Sequence, residues 1–245
     1  MNSDNEPLES LKRYRNMLRS YCRVFFLQGL LGCLLLSAPA LGAETPSEIR
    51  MIRSDTANLE DWQEKQFQGQ TLYRKTILEG RGTIEADSRG SASALFKETV
   101  IDIREFPYLS WRWRIIRQPE TRNEREKEGD DFAARVYVVV KEGPFPWQTR
   151  AINYVWSKRE KKGAVWPNPF IDKAIMVSLN NEADGLDHWV SNTVNIYEDL
   201  QRLLGKTYTK IDGIAIMSDS DNSGSSARAD YSDIRFTRLP PEPRE

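Results

Sequence analysis

The segment from Met217 to Gly224, with the residues that follow it, carries oxygen-bearing side chains at the spacing of a twelve-residue calcium-binding loop. The residues at positions one, three, five, six and twelve are Asp219, Asp221, Ser223, Gly224 and Asp230. Calcium takes six to eight oxygen ligands, and glycine at the sixth position permits a sharp bend. The pattern predicts a structural calcium ion that is held by Asp219, Asp221, Ser223 and Asp230. A plain polar turn is the alternative, because Asp, Asn, Ser and Gly favour turns and both flanks have strand character.

Arginines alternate with tryptophans along the segment from Tyr108 to Ile116. Successive side chains of a strand point to opposite faces, so Arg112 and Arg114 share the face opposite Trp111 and Trp113. If the tryptophans fill a core, the two arginines point out of it.

The valine-rich segment from Phe132 to Lys141 places Arg135 and Tyr137 on one face. With Arg112 and Arg114, they predict a basic sheet surface for carboxylates or sulfates, since a guanidinium grips an anion with two hydrogen bonds. The alternative is that these arginines pair with acidic residues on neighbouring strands. If the surface binds a ligand, replacing Arg112 and Arg135 by alanine abolishes binding and leaves the fold intact.

Aromatic residues suggest a second kind of surface. Asn153 and Trp156 are predicted neighbours of the basic site, and flat rings near loops suit stacking on sugars. The candidate rings are Trp147, Tyr154, Trp156, Trp166 and Trp189. Core packing is the alternative for Tyr154 and Trp156, whose spacing places them on one face of a strand.

Groups for catalysis are scarce in this sequence. His188 is the only histidine, which nearly excludes a multi-histidine zinc site and leaves a serine triad dependent on one residue. Asp130 and Asp131 can act in acid/base chemistry with Tyr137 or His188. Adjacent strand positions point to opposite faces, however, which favours a structural role such as pairing with Arg112, Arg114 or Arg135.

Residues 1–43 have the layout of a secretory signal peptide. Arginines precede an apolar run from Val24 to Leu36, and small residues from Ala38 to Ala43 suit cleavage. The run is shorter than the roughly 20 residues of a spanning helix, so an uncleaved anchor is the weaker alternative. Cys22 and Cys33 both lie in this leader, which predicts a mature chain without disulfides in the periplasm of a Gram-negative bacterium, or secreted from it.

Short segments with strand patterns, separated by turn residues, follow Gln70. They predict an all-β fold, an antiparallel β-sandwich of jelly-roll type. One short helix is predicted over 196–204, with Asn195 as its N-cap and Gly205 at its end. We predict a linker at 44–60, the sandwich domain at 61–238 and a disordered tail at 239–245, where prolines oppose a further central strand.

Four ordered motifs resemble an uncharacterised bacterial family, domain of unknown function 3047, over roughly Asp61 to Phe236. They are Leu109 to Arg114, Gly129 to Tyr137, Ile152 to Ser157, and Gly213 to Asn222. The resemblance implies an exported proteobacterial protein and carries no known activity. The last strand, from Tyr231 to Phe236, resembles the final strand of carbohydrate-binding jelly rolls, some of which hold a structural calcium.

These features predict an exported envelope protein that binds a glycan, or another polar or anionic ligand, on a sheet face without catalysis. A polysaccharide-active lyase or hydrolase and a protein–protein module in envelope assembly are the alternatives. The predicted partner is a polysaccharide or another envelope component. A formal net charge of −1 gives no reason to expect nucleic acid, and a membrane contact is expected only through an uncleaved leader.

Overall fold

The computed structural model describes residues 47–52 and 59–241. This part of the chain forms two β-sheets packed face to face, with one α-helix and three short 3-10 turns. The predicted all-β sandwich with one short helix is therefore confirmed. The predicted signal peptide at 1–43 and the end of the predicted tail at 242–245 lie outside the described residues. Between residues 47 and 241, the described ranges contain no helix long and apolar enough to span a membrane.

Sheet A has six strands. They are β1 (Glu48–Arg50), β3 (Leu72–Leu78), β4 (Arg81–Arg89), β6 (Tyr108–Arg117), β11 (Val190–Asn195) and β13 (Ser226–Thr237). Five of them are ordered β11-β6-β13-β4-β3, and β1 pairs with β13. All of these pairs are antiparallel, and among them only β3 and β4 are joined by a short turn.

Sheet B has seven strands. They are β2 (Gln63–Gln68), β5 (Ala92–Asp102), β7 (Arg135–Lys141), β8 (Thr149–Ser157), β9 (Val165–Pro167), β10 (Ala174–Asn181) and β12 (Lys210–Asp219). Their order is β2-β5-β12-β7-β8-β10-β9. The pair β8–β10 is parallel, because the chain crosses over through β9 between them. The prediction of an antiparallel sandwich holds for the other pairs.

Large aromatic side chains from both sheets fill the space between them. Trp111 and Trp113 of β6 pack edge to face, with ring centroids 5.3 Å apart. Trp156 of β8 meets Trp113 at 6.1 Å from the opposite sheet. All three are buried, and such pairs stabilise the core beyond the apolar area that they bury.

The helix α1 (Ile196–Leu204) connects β11 to β12 as the sequence predicts. The Asn195 side chain accepts a hydrogen bond from the backbone N–H of Glu198, and Gly205 ends the helix at φ 69°. This cap satisfies one of the free N–H groups of the first turn. Ile196 and Leu200 are buried against the core.

The predicted linker at 44–60 contains the first strand of sheet A. Strand β1 pairs with the end of β13, and the backbone N–H groups of Met51 and Ile52 both donate to the carbonyl of Ile234. The Met51 and Ile52 side chains are buried in the core. Apolar residues thus bring part of this segment into the domain.

Candidate functional site

The outer face of sheet B is the side turned away from the core. Val136 and Val138 of β7 point into the core, so Arg135, Tyr137 and Val139 point to the outer face. On the neighbouring strand β8, Asn153 lies directly opposite Tyr137. Of the six predicted ligand-binding residues, this face brings together Arg135, Tyr137 and Asn153.

Apolar side chains cover much of the outer face of sheet B. One cluster joins Ala92, Ala94 and Met217, with Phe67 and Tyr137 packed against it. A second joins Phe96, Val139 and Ala215, with Tyr137 and Ala151 packed against it. Tyr137 bridges the two clusters, and Phe67, Tyr137 and Ala151 remain half-buried. An outer sheet face is ordinarily polar, which makes this apolar surface a candidate for binding.

Glycine and alanine let an aromatic ring lie close to the sheet. A Cβ atom on Gly213 of β12 would stand 2.5 Å from the ring of Phe96 on β5. A larger residue at position 213 would therefore displace the ring. Small residues, Ala94 and Ala215, also occupy neighbouring positions. On this face, aromatic rings therefore lie over small side chains.

Polar and charged groups also lie on this face, such as the Lys141–Glu98 pair at 3.2 Å. The Tyr137 hydroxyl donates to the Met217 sulfur at 3.4 Å, and burial raises the pKa of Tyr137. The Asn153 side chain is fully buried, and its amide nitrogen donates to the Met176 sulfur at 3.3 Å. Its amide oxygen has no hydrogen-bond partner among the residues that the structure describes. On β2, partial burial lowers the pKa of Lys65 to about 8.

Arg135 is not available to a ligand, because it is buried in an ion-pair network. Its Nε donates to Asp219 Oδ1 at 2.8 Å, its terminal nitrogen also contacts Asp219 Oδ2, and a further contact reaches Asp130 Oδ1 at 3.4 Å. The guanidinium lies over the Phe132 ring at 4.5 Å. Removing one partner of such a pair leaves a buried charge uncompensated and costs about 3–5 kcal/mol. The expectation that Arg135 can be replaced without loss of the fold is therefore not supported.

Three carboxylates meet at the end of β12. Asp131, Asp219 and Asp221 each place an oxygen within 4.8 Å of the others, which is close enough to share one cation. Two of these three belong to the predicted calcium set. The oxygens already have partners, however, because Asp131 accepts from the backbone N–H groups of Asn222 and Ser223, and Asp219 accepts from Arg135.

The other two predicted calcium ligands are placed differently. Ser223 presents its backbone N–H to Asp131, while its hydroxyl contacts Ser225 at 2.7 Å. Asp230 lies on β13 in sheet A, where its Oδ2 pairs with Arg114 at 2.8 Å. The twelve-residue spacing therefore does not bring Asp230 to the other carboxylates, because strands β12 and β13 carry the two ends of the segment into different sheets.

The predicted basic surface is divided between the two sheets. Arg112 and Arg114 point outward from sheet A, whereas Arg135 and Tyr137 belong to sheet B. Arg114 pairs with Asp230, and the guanidinium carbons of Arg112 and Arg114 lie 5.1 and 5.5 Å from the Trp189 ring centroid. The alternation along each strand was predicted correctly, but the assignment of both strands to one surface was wrong.

The remaining predicted residues lie in three different environments. Trp156 is buried in the core, so it does not line a surface. His188 is exposed, with its Nδ1 3.1 Å from the carbonyl of Leu186. Asp130 and Asp131 are buried beside Arg135 and the 219–223 turn.

Two aromatic residues of the outer face escaped the sequence analysis. Phe67 lies two positions after Lys65 on β2, and Phe96 follows the core residue Leu95 on β5. A pattern in the sequence could have revealed this face. Ala92, Ala94 and Phe96 are two positions apart along β5, so two small side chains and a ring share one side of the strand.

The fold defines an all-β sandwich with one apolar and one charged outer face. A family model described as "Protein of unknown function (DUF3047)" matches residues 60–235, and the chain belongs to this family. The predicted family membership is thereby confirmed. No curated protein sequence matches the chain.

Solved structures with a similar fold include two carbohydrate-binding modules of Clostridium thermocellum. The family 11 module of cellulosomal cellulase Lic26A-Cel5E has 9% identity and a TM-score of 0.45, over 78% of this chain and 95% of the module. The family 30 module of cellulosomal cellulase CEL9D-CEL44B has 9% identity and a TM-score of 0.48, over 79% and 99%. The xyloglucanase domain of NopAA from Sinorhizobium fredii has 12% identity and a TM-score of 0.40, over 73% and 93%. These similarities assign no ligand and no residue role to this chain.

Proposed function

We propose that this protein is an exported, non-catalytic carbohydrate-binding protein whose ligand lies on the outer face of sheet B. The observation that carries the proposal is the apolar character of that face. Phe67 and Tyr137 are half-buried rings on a surface that does not pack against the core. Ligand sites are largely apolar with a few placed polar groups, and this face has that composition.

A glycan suits this face better than an anion. A sugar ring offers an apolar side that packs on a flat aromatic ring and hydroxyls that meet polar groups at its edge. Tyr137 supplies both a ring and a hydroxyl, and the small, half-buried Ala151 packs against the same cluster. The arginines that would favour an anion are engaged elsewhere, since Arg135 pairs with Asp219 and Arg114 with Asp230.

The charged outer face of sheet A is a weaker candidate for binding. Its acidic and basic side chains pair across strands, as in Arg114–Asp230 at 2.8 Å and Arg228–Glu85 at 3.5 Å. A ligand would have to replace these contacts, which lowers any net gain. Export rests on the sequence of residues 1–43 and belongs to the proposal.

The test is electrophoresis of the purified chain in native gels that contain hydroxyethylcellulose, an agarose-type galactan or alginate. Retardation by a neutral polymer is expected for the unmodified chain. Tyr137→Ala should weaken that affinity by at least about tenfold, because a central aromatic anchor typically contributes 2 kcal/mol or more.

Tyr108→Ala is the matched control. Tyr108 is also half-buried, but it lies on the outward side of β6 in sheet A, so its loss should leave the retardation unchanged. Equal mobility of Tyr137→Ala and the unmodified chain would remove the site from sheet B. No retardation in any gel would favour the protein–protein alternative.

A further inference from the structure

The hairpin between β7 and β8 presents two stacked aromatic rings to solvent. Phe145 and Trp147 have ring centroids 4.6 Å apart and planes within 3° of parallel. Their side chains are 50% and 56% exposed. Val100, Leu239 and a few others are also large apolar groups that the described residues expose, but these two rings stack on each other, and we call the pair the tip stack.

The backbone of this hairpin is held in one conformation by several local contacts. The Glu142 N–H donates to the Gln148 carbonyl at 2.8 Å, and the Gln148 N–H donates to the Phe145 carbonyl at 2.9 Å. The Gln148 side-chain oxygen accepts from the Phe145 N–H at 3.2 Å. Lys173, which precedes β10, donates from Nζ to the Trp147 carbonyl at 2.6 Å. The rings are therefore displayed by an ordered loop.

Gly143 is part of this construction. A Cβ atom at position 143 would collide with the side-chain amide of Gln148. That amide is the group that fixes the Phe145 backbone. Glycine at position 143 thus leaves room for the Gln148 side chain to hydrogen-bond the loop backbone at Phe145. Rings fixed in advance lose little conformational entropy when a ligand stacks on them, which is the condition for an efficient contact.

The position of the tip stack connects it to the outer face of sheet B. Trp147 precedes β8, and Asn153, which lies opposite Tyr137, is six residues further along the chain. Six residues of extended chain span at most about 20 Å. Strands β7 and β8 carry Tyr137 and Asn153, and the loop that joins these two strands carries the tip stack.

We propose that the tip stack is a second contact for the glycan bound at Tyr137, and that the ligand is consequently an oligosaccharide or polysaccharide chain rather than a single sugar. This inference rests on the proposed function. A sugar unit packs on the free face of the stack, while other units of the same chain occupy the surface around Tyr137 and Phe67. Affinity then increases with chain length, because two linked contacts bind more tightly than either contact alone.

The experiment compares the disaccharide and the hexasaccharide of each polymer used in the gels, by titration calorimetry on the full chain. The double variant Phe145→Ala/Trp147→Ala should weaken hexasaccharide binding about tenfold and leave disaccharide binding unchanged. Tyr137→Ala should weaken both. Leu239→Ala, which removes another strongly exposed apolar side chain beyond the end of β13, should change neither.

Each result separates the two proposals. Hexasaccharide affinity equal to that of the unmodified chain in the double variant would overturn the tip-stack inference and leave the Tyr137 site in place. Absence of binding by the unmodified chain to any of these sugars would overturn both. Sedimentation with phospholipid vesicles that disappears in the double variant, with glycan affinity unchanged, would assign the tip stack to a membrane surface and likewise overturn the inference.

Discussion

At the scale of single residues, the carboxylates around Arg135 dominate the electrostatics of the molecule. Asp130, Asp131 and Asp219 are buried, Asp221 is partly buried, and the Arg135 guanidinium pairs with Asp130 and Asp219. Burial raises the pKa of Asp130 to about 6, against the attraction of Arg135. Burial also raises the pKa values of Asp219 and Asp221, with Asp131 adding to both shifts.

These shifts predict that the fold becomes more stable as the pH falls from 7.5 to 5 in the presence of a chelator. A carboxyl whose pKa is raised from 3.8 to about 6 stabilises the folded state fully below pH 3.8, and that contribution is lost as the pH rises through about 6. At pH 5 Asp130 alone contributes about 1.4 kcal/mol. The melting temperature should therefore rise by about 3–5 °C, as measured by differential scanning calorimetry.

Asp130→Asn provides the control, because it removes the titrating group and keeps its shape. The variant should show a smaller rise between the two pH values. Glu142 and Glu160 do not oppose the trend in this window, since their pKa values are lowered by Lys206, Tyr208 and Arg125. If a calcium ion neutralises Asp131, Asp219 and Asp221, added calcium raises the melting temperature at pH 7.5 and reduces the pH dependence, because the Asp131 charge no longer raises the pKa of Asp130. An unchanged melting temperature on calcium addition would support the plain turn.

At the scale of secondary-structure elements, the first strand extends the domain beyond the family match. Strand β1 and the buried Ile52 precede residue 60, where the match begins. Ile52→Ala should lower the free energy of unfolding by about 2–4 kcal/mol, because it leaves a cavity in the core. Urea unfolding of the full chain measures this loss.

Ile77→Ala is the matched isoleucine control. Ile77 lies on the edge strand β3 and is 54% exposed, so its replacement should change the free energy of unfolding by no more than about 0.5 kcal/mol. Equal urea midpoints for Ile52→Ala and the unmodified chain would show that β1 does not contribute to the stability of the domain.

The same scale shows what the sequence can and cannot predict. Alternation predicted that Trp111 and Trp113 face the core opposite Arg112, and local capping chemistry predicted α1 and its ends. Both are properties of residues close in sequence. Which sheet a strand joins depends on pairing partners far along the chain. Period-two alternation therefore could not show that Arg112 and Arg135 lie in different sheets.

The candidate site was predicted only in part for the same reason. Tyr137 and Asn153 were chosen from alternation on two strands, and their register as direct neighbours is consistent with that choice. Phe67 and Phe96 reach the same face from strands β2 and β5, which the sequence does not place beside β7. The calcium-like spacing predicted that Asp230 lies beside Asp219 and Asp221. Strand pairing separates them instead, because Asp230 lies in sheet A and Asp219 in sheet B.

At the scale of the whole molecule, the two outer faces of the sandwich differ in chemistry. Sheet A exposes charged side chains that pair with one another across strands, such as Arg228 with Glu85. On the outer face of sheet B, buried small apolar groups and the Phe96 ring surround the half-buried Tyr137. An apolar outer face leaves unfavourable contact with water unless something covers it. This asymmetry, more than any single residue, is the reason why we propose the ligand site on sheet B.

The asymmetry predicts that adding an arginine on the outer face weakens glycan binding in sheet B and leaves it unchanged in sheet A. Ala151→Arg places a long cationic side chain beside Tyr137, and Thr76→Arg places it on the outward side of β3 in sheet A; both positions are half-buried. Ala151→Arg should weaken glycan binding by at least about tenfold, because it covers the apolar floor that the sugar needs. Thr76→Arg should bind as the unmodified chain does. The melting temperature of each variant shows whether it remains folded, and Ala151→Ser, which adds little volume, should retain binding. Equal affinities of the two arginine variants would contradict the assignment of the ligand to one face of the sandwich, whereas a loss confined to Thr76→Arg would move the site to sheet A.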